Sequence, residues 1–218
     1  MTAMILAAGL GTRMRPLTNH RPKPLLNVGG KPLIVWHIER LKASGFTDII
    51  INVAYLGQQI IGYLGDGSKY GVNITFSDEQ SEGALETAGG IVKALHLLSD
   101  TFLVVNGDVW TDFNYDSEFE LKKDRLAHLI LVDNPEHNPN GDFFLMNSKE
   151  KYTFAGIAYY SKKMFQDLEY GKQSLVPLLF KAIDEKKLTT QYYRGAWHDI
   201  GTPVRLELLE KQLSANVL

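Results

Sequence analysis

The sequence contains no cysteine. Disulfides, thiolate metal ligands and cysteine nucleophiles are therefore excluded, and the composition fits the cytoplasm. No apolar run reaches the roughly 20 residues of a membrane span. The N-terminus lacks the charged-then-apolar pattern of a secretory signal. A net charge of −2 gives none of the basic excess expected of a nucleic-acid surface. The six histidines form no His-x-x-x-His pair that would read as a metal site. Internal repeats, low-complexity tracts and clear linkers are also missing. A membrane protein, a nucleic-acid binder and a thiol enzyme are thus all disfavoured.

What is present is a chain of 218 residues, 44% of them hydrophobic, enough for one domain with a large core. In its first half short apolar runs alternate with amphipathic ones. Strands are expected at Met4–Ala8, Asp48–Val53, Val72–Phe76 and Thr101–Val105, and helices at Pro32–Ser44, Gln58–Leu64 and Thr87–Leu98. The second half is more mixed. Strands are expected at 127–132, in "DFFLM" and in "YTFAGIAYY", and helices at Leu175–Lys186 and Pro203–Leu213, with fraying in "SANVL". This pattern predicts an α/β fold, Rossmann-like, with a mixed, mainly parallel sheet flanked by helices. A single domain over 1–218 is expected.

The first strand runs into "LAAGLGTRMRPLT". Gly9 and Gly11 permit a sharp turn and close approach of a ligand, while Arg13 and Arg15 bring fixed positive charge to it. Together they point to a phosphate held against the main chain. Two familiar glycine loops do not fit. The dinucleotide fingerprint needs glycine where Met14 stands, and a P-loop ending at Gly30-Lys31 needs glycine where Leu25 stands. Taken alone, the glycine pair is equally compatible with a plain strand-to-helix turn.

The longer string is more specific. "AAGLGTRMRPLT" followed by "RPKPLLNVGGKPL" resembles the signature of the sugar-1-phosphate nucleotidyltransferases, with Gly9, Gly11, Thr12, Arg13, Met14, Pro16, Leu17 and Thr18 in the first block and Pro22, Lys23, Pro24 and Leu25 in the second. "LETAGGI", "FLVVNGDV" and "WHDIGTP" extend the resemblance over nearly the whole chain. The family pattern is departed from at Ala84 and Ala88, where proline and glycine are expected.

The resemblance implies nucleotidyl transfer: a sugar 1-phosphate oxygen attacks the α-phosphorus of a nucleoside triphosphate and pyrophosphate leaves. The nucleophile is already an anion, so positioning and charge neutralisation are needed rather than a general base. Arg13 would hold the β- and γ-phosphates, Lys23 the α-phosphate, and the main chain of Ala8, Gly9, Gly11 and Thr12 the nucleotide. Arg15 is either a further phosphate contact or a solvated charge. Asp108 and Asp199 would hold Mg2+, a hard cation that prefers oxygen, although each aspartate also suits a turn. Glu79 or Gln80, with the main chain around Ala84 and Leu85, would read the base. Asn106, Gly141 and Phe154 would face the sugar, Gly141 serving equally well as a plain turn glycine.

The nucleotide portion is expected at about 1–110 and the sugar portion at about 111–218. The subgroup most similar in "LETAGG" and "TFAGIAYY" transfers uridylyl groups to N-acetylmuramic acid 1-phosphate in cell-wall recycling. Guanylyl transfer to mannose 1-phosphate is the alternative. A silent sugar-nucleotide-binding subunit is a third reading, disfavoured because Arg13, Lys23, Asp108 and Asp199 are all intact. The partners implied are a nucleoside triphosphate and a sugar 1-phosphate, with neither nucleic acid nor membrane. A monomer would suffice.

Overall fold

A computed structural model describes residues 1–145 and 148–215. Its elements follow the apolar runs. In chain order they are β1 (Thr2–Leu6), β2 (Asn27–Val28), β3 (Lys31–Pro32), α1 (Leu33–Ala43), β4 (Asp48–Val53), α2 (Gly57–Leu64), β5 (Asn73–Asp78), α3 (Glu86–Ala94), β6 (Thr101–Asn106), β7 (Val109–Thr111), β8 (Ala127–Val132), β9 (Phe143–Phe144), β10 (Lys151–Ser161), α4 (Val176–Asp184), β11 (Leu188–Tyr192), β12 (Trp197–Asp199) and α5 (Pro203–Ala215). The main sheet has the order β11-β8-β10-β6-β1-β4-β5, with β9 paired to β10. β1, β4, β5 and β6 are mutually parallel, β11 is parallel to β8, and β10 runs antiparallel to both its neighbours. The expected mixed, mainly parallel α/β sheet is the one observed.

Alternation along the strands sorts the core. Ala3 and Ile5, Ile49 and Ile51, and Leu103 and Val105 point to the face covered by α1 and α2. Met4, Ile50, Phe102 and Val104 point to the face covered by α3 and α4. A third, smaller cluster joins Met14, Leu26, Val28, Leu33, Trp110, Ile200 and Leu209. It bonds the glycine-rich turn to a separate two-stranded ribbon, β7 against β12, and to α5.

Several element boundaries differ from the sequence reading. β1 ends at Leu6 rather than Ala8, because the Ala7 N–H leaves the ladder and donates to Asn52 Oδ1 at 2.9 Å. Helical hydrogen bonding tightens to a 3-10 turn at Leu95–Leu97, short of the expected end at Leu98. The strand in "DFFLM" shrinks to Phe143–Phe144, and Met146 lies outside the described residues, as do residues 216–218 of the segment expected to fray. β10 is long but slips register between Phe154 and Ala158, where Gly156 takes a φ of 70°. No helix among the described residues is long and apolar enough to cross a membrane.

His37, on α1, is buried beneath β7 and bonded to the Val109 main chain. Burial pushes its pKa down to about 4, against the pull of the nearby Asp108 charge. The folded state therefore refuses a proton that the unfolded chain accepts near pH 6.5. His128 and His198 are shifted the same way, also chiefly by burial.

Two predictions follow from this packing. Leu209→Ala removes a fully buried side chain of the third cluster and should lower the unfolding free energy by about 2–5 kcal/mol in urea titrations. Stability should also fall as pH drops from 6.5 towards 4, by up to about 1.4 kcal/mol per pH unit for His37. His37→Leu should flatten that slope, leaving the smaller parts due to His128 and His198.

Candidate active site

The C-terminal ends of β1 and β6 open into a cavity of about 410 Å3. Its floor is the turn after β1. Gly11 stands at φ 61°, and a Cβ there would lie 3.1 Å from Thr18 Cγ2, so the turn is closed by glycine and by the Thr18 hydroxyl donating to the Gly11 carbonyl at 2.7 Å. A 3-10 turn over Thr12–Met14 follows and buries Met14, leaving Arg13 exposed at the cavity. Ala8, Gly9, Gly11, Thr12, Arg13 and Lys23 all line it, as expected for the phosphate end.

β6 carries the acid side. The Gly107 N–H donates to the Leu6 carbonyl at 2.9 Å, and a Cβ at 107 would lie 2.6 Å from that oxygen. Only glycine lets the chain cross β1 so closely before Asp108. Asp108 Oδ2 then accepts from Lys23 Nζ at 2.8 Å, an ion pair in which the lysine is the more buried partner. Asp199 arrives from β12. It pairs with Val109, and the Ile200 N–H donates to the Asp108 carbonyl at 2.8 Å, so the two aspartates lie side by side on one ribbon. Asp199 Oδ2 accepts from Arg205 Nη1 at 2.6 Å and lies 3.0 Å from His137 Nε2. Gly201 separates the Asp199 and Arg13 side chains: a Cβ there would lie 3.2 Å from Asp199 Oδ1 and 3.3 Å from Arg13 Nη1.

At the other end of the cavity Glu79 is fully buried, with both oxygens in use. Oε1 accepts from Asn52 Nδ2 at 2.8 Å and Oε2 from the Leu85 N–H at 2.9 Å. Asn52 in turn accepts from Ala7. Glu79 thus fixes the walls of the cavity rather than presenting a free carboxylate to it. The glycines of "LETAGG" are explained by the same packing. A Cβ at Gly90 would lie 2.8 Å from Glu79 Oε1, and one at Gly89 would lie 2.2 Å from the Gly171 carbonyl. Leu85 turns its side chain into the core, leaving Ala84, Glu86 and Thr87 as the lining there. Glu86 has a left-handed backbone, φ 60°, unusual for a residue with a Cβ.

The residues assigned to the sugar are not brought together. Asn106 lines the cavity. Gly141 and Phe154 line neither this cavity nor the one beside Asp199. A Cβ at Gly141 would lie 2.7 Å from the Lys151 carbonyl, so close packing against the chain accounts for that glycine. The Phe154 N–H donates to Asp142 Oδ2 at 2.8 Å, and its ring stands edge-on to Phe143. Sequence reasoning missed Asn52, Thr87, His137 and Arg205. Asn52 carries a signal, a polar residue inside the apolar run "DIIINV"; Arg205, in the first turn of a helix rich in charge, carries none.

Glu79→Gln should leave the Leu85 N–H without its charged acceptor. The expected cost is about 1–3 kcal/mol, read by denaturant unfolding, with weaker nucleotide binding as the walls loosen.

Comparison with known proteins agrees with this geometry. The Nucleotidyl transferase family matches residues 2–215. An N-acetylmuramate alpha-1-phosphate uridylyltransferase of Neisseria meningitidis serogroup B is 50% identical, covering 95% of this chain and 96% of that protein. A mannose-1-phosphate guanyltransferase of Schizosaccharomyces pombe is 32% identical, covering 93% of this chain and 61% of that protein. Among solved structures, a CTP:phosphocholine cytidylyltransferase of Streptococcus pneumoniae superposes with a TM-score of 0.75 at 26% identity, covering 97% of this chain and 98% of that one. The match over almost every described residue, on a sheet whose strand ends carry Arg13, Lys23 and Asp108 around one cavity, makes this chain a member of the Nucleotidyl transferase family.

Proposed function

We propose that the protein joins UTP and N-acetylmuramic acid α-1-phosphate into UDP-N-acetylmuramic acid and pyrophosphate, in the cytoplasm, as a step of cell-wall recycling. The observation that carries this reading is the 50% identity, over nearly the full length of both chains, to a relative named for that reaction. The geometry fits it. A sugar 1-phosphate oxygen attacks the α-phosphorus, the bond from that phosphorus to the β-phosphate bridging oxygen breaks, and pyrophosphate leaves with the electron pair. No proton need move, and no side chain at the cavity is arranged as a nucleophile–base pair.

The chain's own residues then act by charge and position. Lys23 is held by Asp108 in the cavity wall and supplies a point cation to the α-phosphate as charge builds there. Arg13, with its planar fork, takes the leaving β- and γ-phosphates. Main-chain N–H groups from Gly9 to Thr12 cradle the triphosphate, and Thr87 and the Ala84 main chain lie where the base would sit. The nucleotide is bound by about residues 1–110 and the sugar by about 111–218.

A divalent cation fits the ribbon. Asp108 and Asp199 are adjacent, and each already draws a cation of the protein onto itself, Lys23 in one case and Arg205 in the other. Among the described residues no third carboxylate, histidine or thiol completes a ligand cluster. That suits Mg2+, which takes one or two carboxylates and fills its other positions with phosphate oxygens and water. When bound, it would neutralise phosphate charge and polarise the α-phosphate.

The test is pyrophosphate release with Mg2+ over a grid of nucleoside triphosphates and sugar 1-phosphates. UTP with N-acetylmuramic acid 1-phosphate should give the highest kcat/KM. Lys23→Ala should lower kcat by about 100- to 1000-fold with the fold intact. Release confined to GTP and mannose 1-phosphate would refute the substrate assignment.

A further inference from the structure

Beyond Asp199 lies a second cavity, of about 580 Å3, between the loop after β8, the chain around β12 and the first turns of α5. Asp199 lines this second cavity and Gly201, two residues on, lines the first, and a Cβ at Gly201 would lie 3.0 Å from Arg205 Nη1 and 3.3 Å from Arg13 Nη1. An acceptor whose phosphate meets the α-phosphate at Lys23 and whose body extends past Gly201 enters it.

The walls have two characters. Trp197, Val204 and Leu208 supply apolar surface, and Val204 and Leu208 are 64% and 54% exposed. The basic side chains are Arg194, Arg205 and His137. Arg205 and His137 are committed to Asp199. The acids of the cavity besides Asp199 are Asp133, which accepts from the Tyr192 hydroxyl, and the exposed Glu136. Arg194 forms no ion pair among the described residues. Its guanidinium stands 5.4 Å from the centre of the Tyr192 ring, an aromatic support that restrains the side chain without consuming its donors.

We infer that Arg194 reads an acidic substituent on the sugar 1-phosphate. This rests on the acceptor proposed above, a hexose that differs from its neutral counterpart by an ether-linked lactyl group ending in a carboxylate. The phosphate cations are already occupied by two anions, so this third negative charge needs a separate partner. A guanidinium fork matches a carboxylate bidentately, and the apolar wall accepts the lactyl methyl. Arg194 thereby makes the enzyme specific for acid-bearing sugars, as distinct from activating the phosphate.

The experiment compares kcat/KM for UTP with N-acetylmuramic acid 1-phosphate and with N-acetylglucosamine 1-phosphate, in wild type, Arg194→Gln and Arg194→Lys. Wild type should prefer the acidic sugar. Arg194→Gln should lower the ratio of the two kcat/KM values by about 10- to 100-fold, the worth of one charge-assisted contact, and Arg194→Lys should restore part of it. A merely structural role would lower both values together and leave the ratio unchanged. Wild-type preference for the acidic sugar with an unchanged ratio in Arg194→Gln overturns the inference about Arg194 alone. Wild-type preference for the neutral sugar overturns the acceptor assignment and this inference with it.

Discussion

Two carboxylates placed side by side repel, and this fold is arranged to hold them there. Asp108 and Asp199 are separated by some ninety residues of sequence, yet the β7–β12 ribbon makes them neighbours. The repulsion is offset locally by Lys23 on one and Arg205 on the other. Those cations come from two further segments. The charge pattern therefore links the 3-10 turn at Lys23, the end of β6 and α5 at one ribbon, with His137 of the loop after β8 beside it. Ion pairs of this partly exposed kind stabilise a fold only weakly. Their weakness matters here, because cations that bind too tightly to their carboxylates could not be shared with a phosphate.

The rigidity that weak pairs cannot provide comes from packing. The third apolar cluster lies directly behind the charged ribbon, with Ile200 next to Asp199 and Met14 next to Arg13. Each charged residue is thus the exposed neighbour of a buried one, and the core sets where the charge stands. Glycine does the same work where side chains would intrude. Gly107 lets β6 pass the Leu6 carbonyl, and Gly201 leaves room for the Arg205, Asp199 and Arg13 side chains around it. The Glu79–Asn52–Ala7 hydrogen bonds complete the frame at the base end, using a buried carboxylate as a joint rather than as a reagent.

Much of this was legible in the sequence, for a physical reason. The strand-turn-cation run around Gly9 to Arg13 and the strand ending in "NGD" are local, so residue order alone places them at the C-terminal edge of a parallel sheet, where ligands bind. Lys23 and Asp108 were legible as chemistry but not as a pair, because their contact spans 85 positions. Gly141 and Phe154 line neither cavity, and in sequence a glycine in a turn-rich loop and an aromatic in a strand look alike whether they face a ligand or the chain itself. Arg205 and His137 were invisible, since nothing within a few residues of either marks the carboxylate they meet. The boundary error at β1 has the same origin: the Ala7 N–H turns away towards Asn52, a partner 45 residues on.

The structural neighbour that transfers a cytidylyl group to phosphocholine sharpens what the fold does and does not determine. Its acceptor, by name, is a choline phosphate and not a sugar, and its base is not uracil, yet its chain superposes over nearly the whole length. The sheet and the glycine turn must then serve what those reactions share, two phosphorylated reactants brought together and a pyrophosphate released. Acceptor choice has to reside in parts that can change without disturbing the strands. The loop after β8 and the exposed residues Arg194 and Val204 meet that condition, since they wall the second cavity and lie outside the strands. Neither residue takes part in the Lys23–Asp108 or Arg205–Asp199 ion pair, so a change at either leaves both pairs in place.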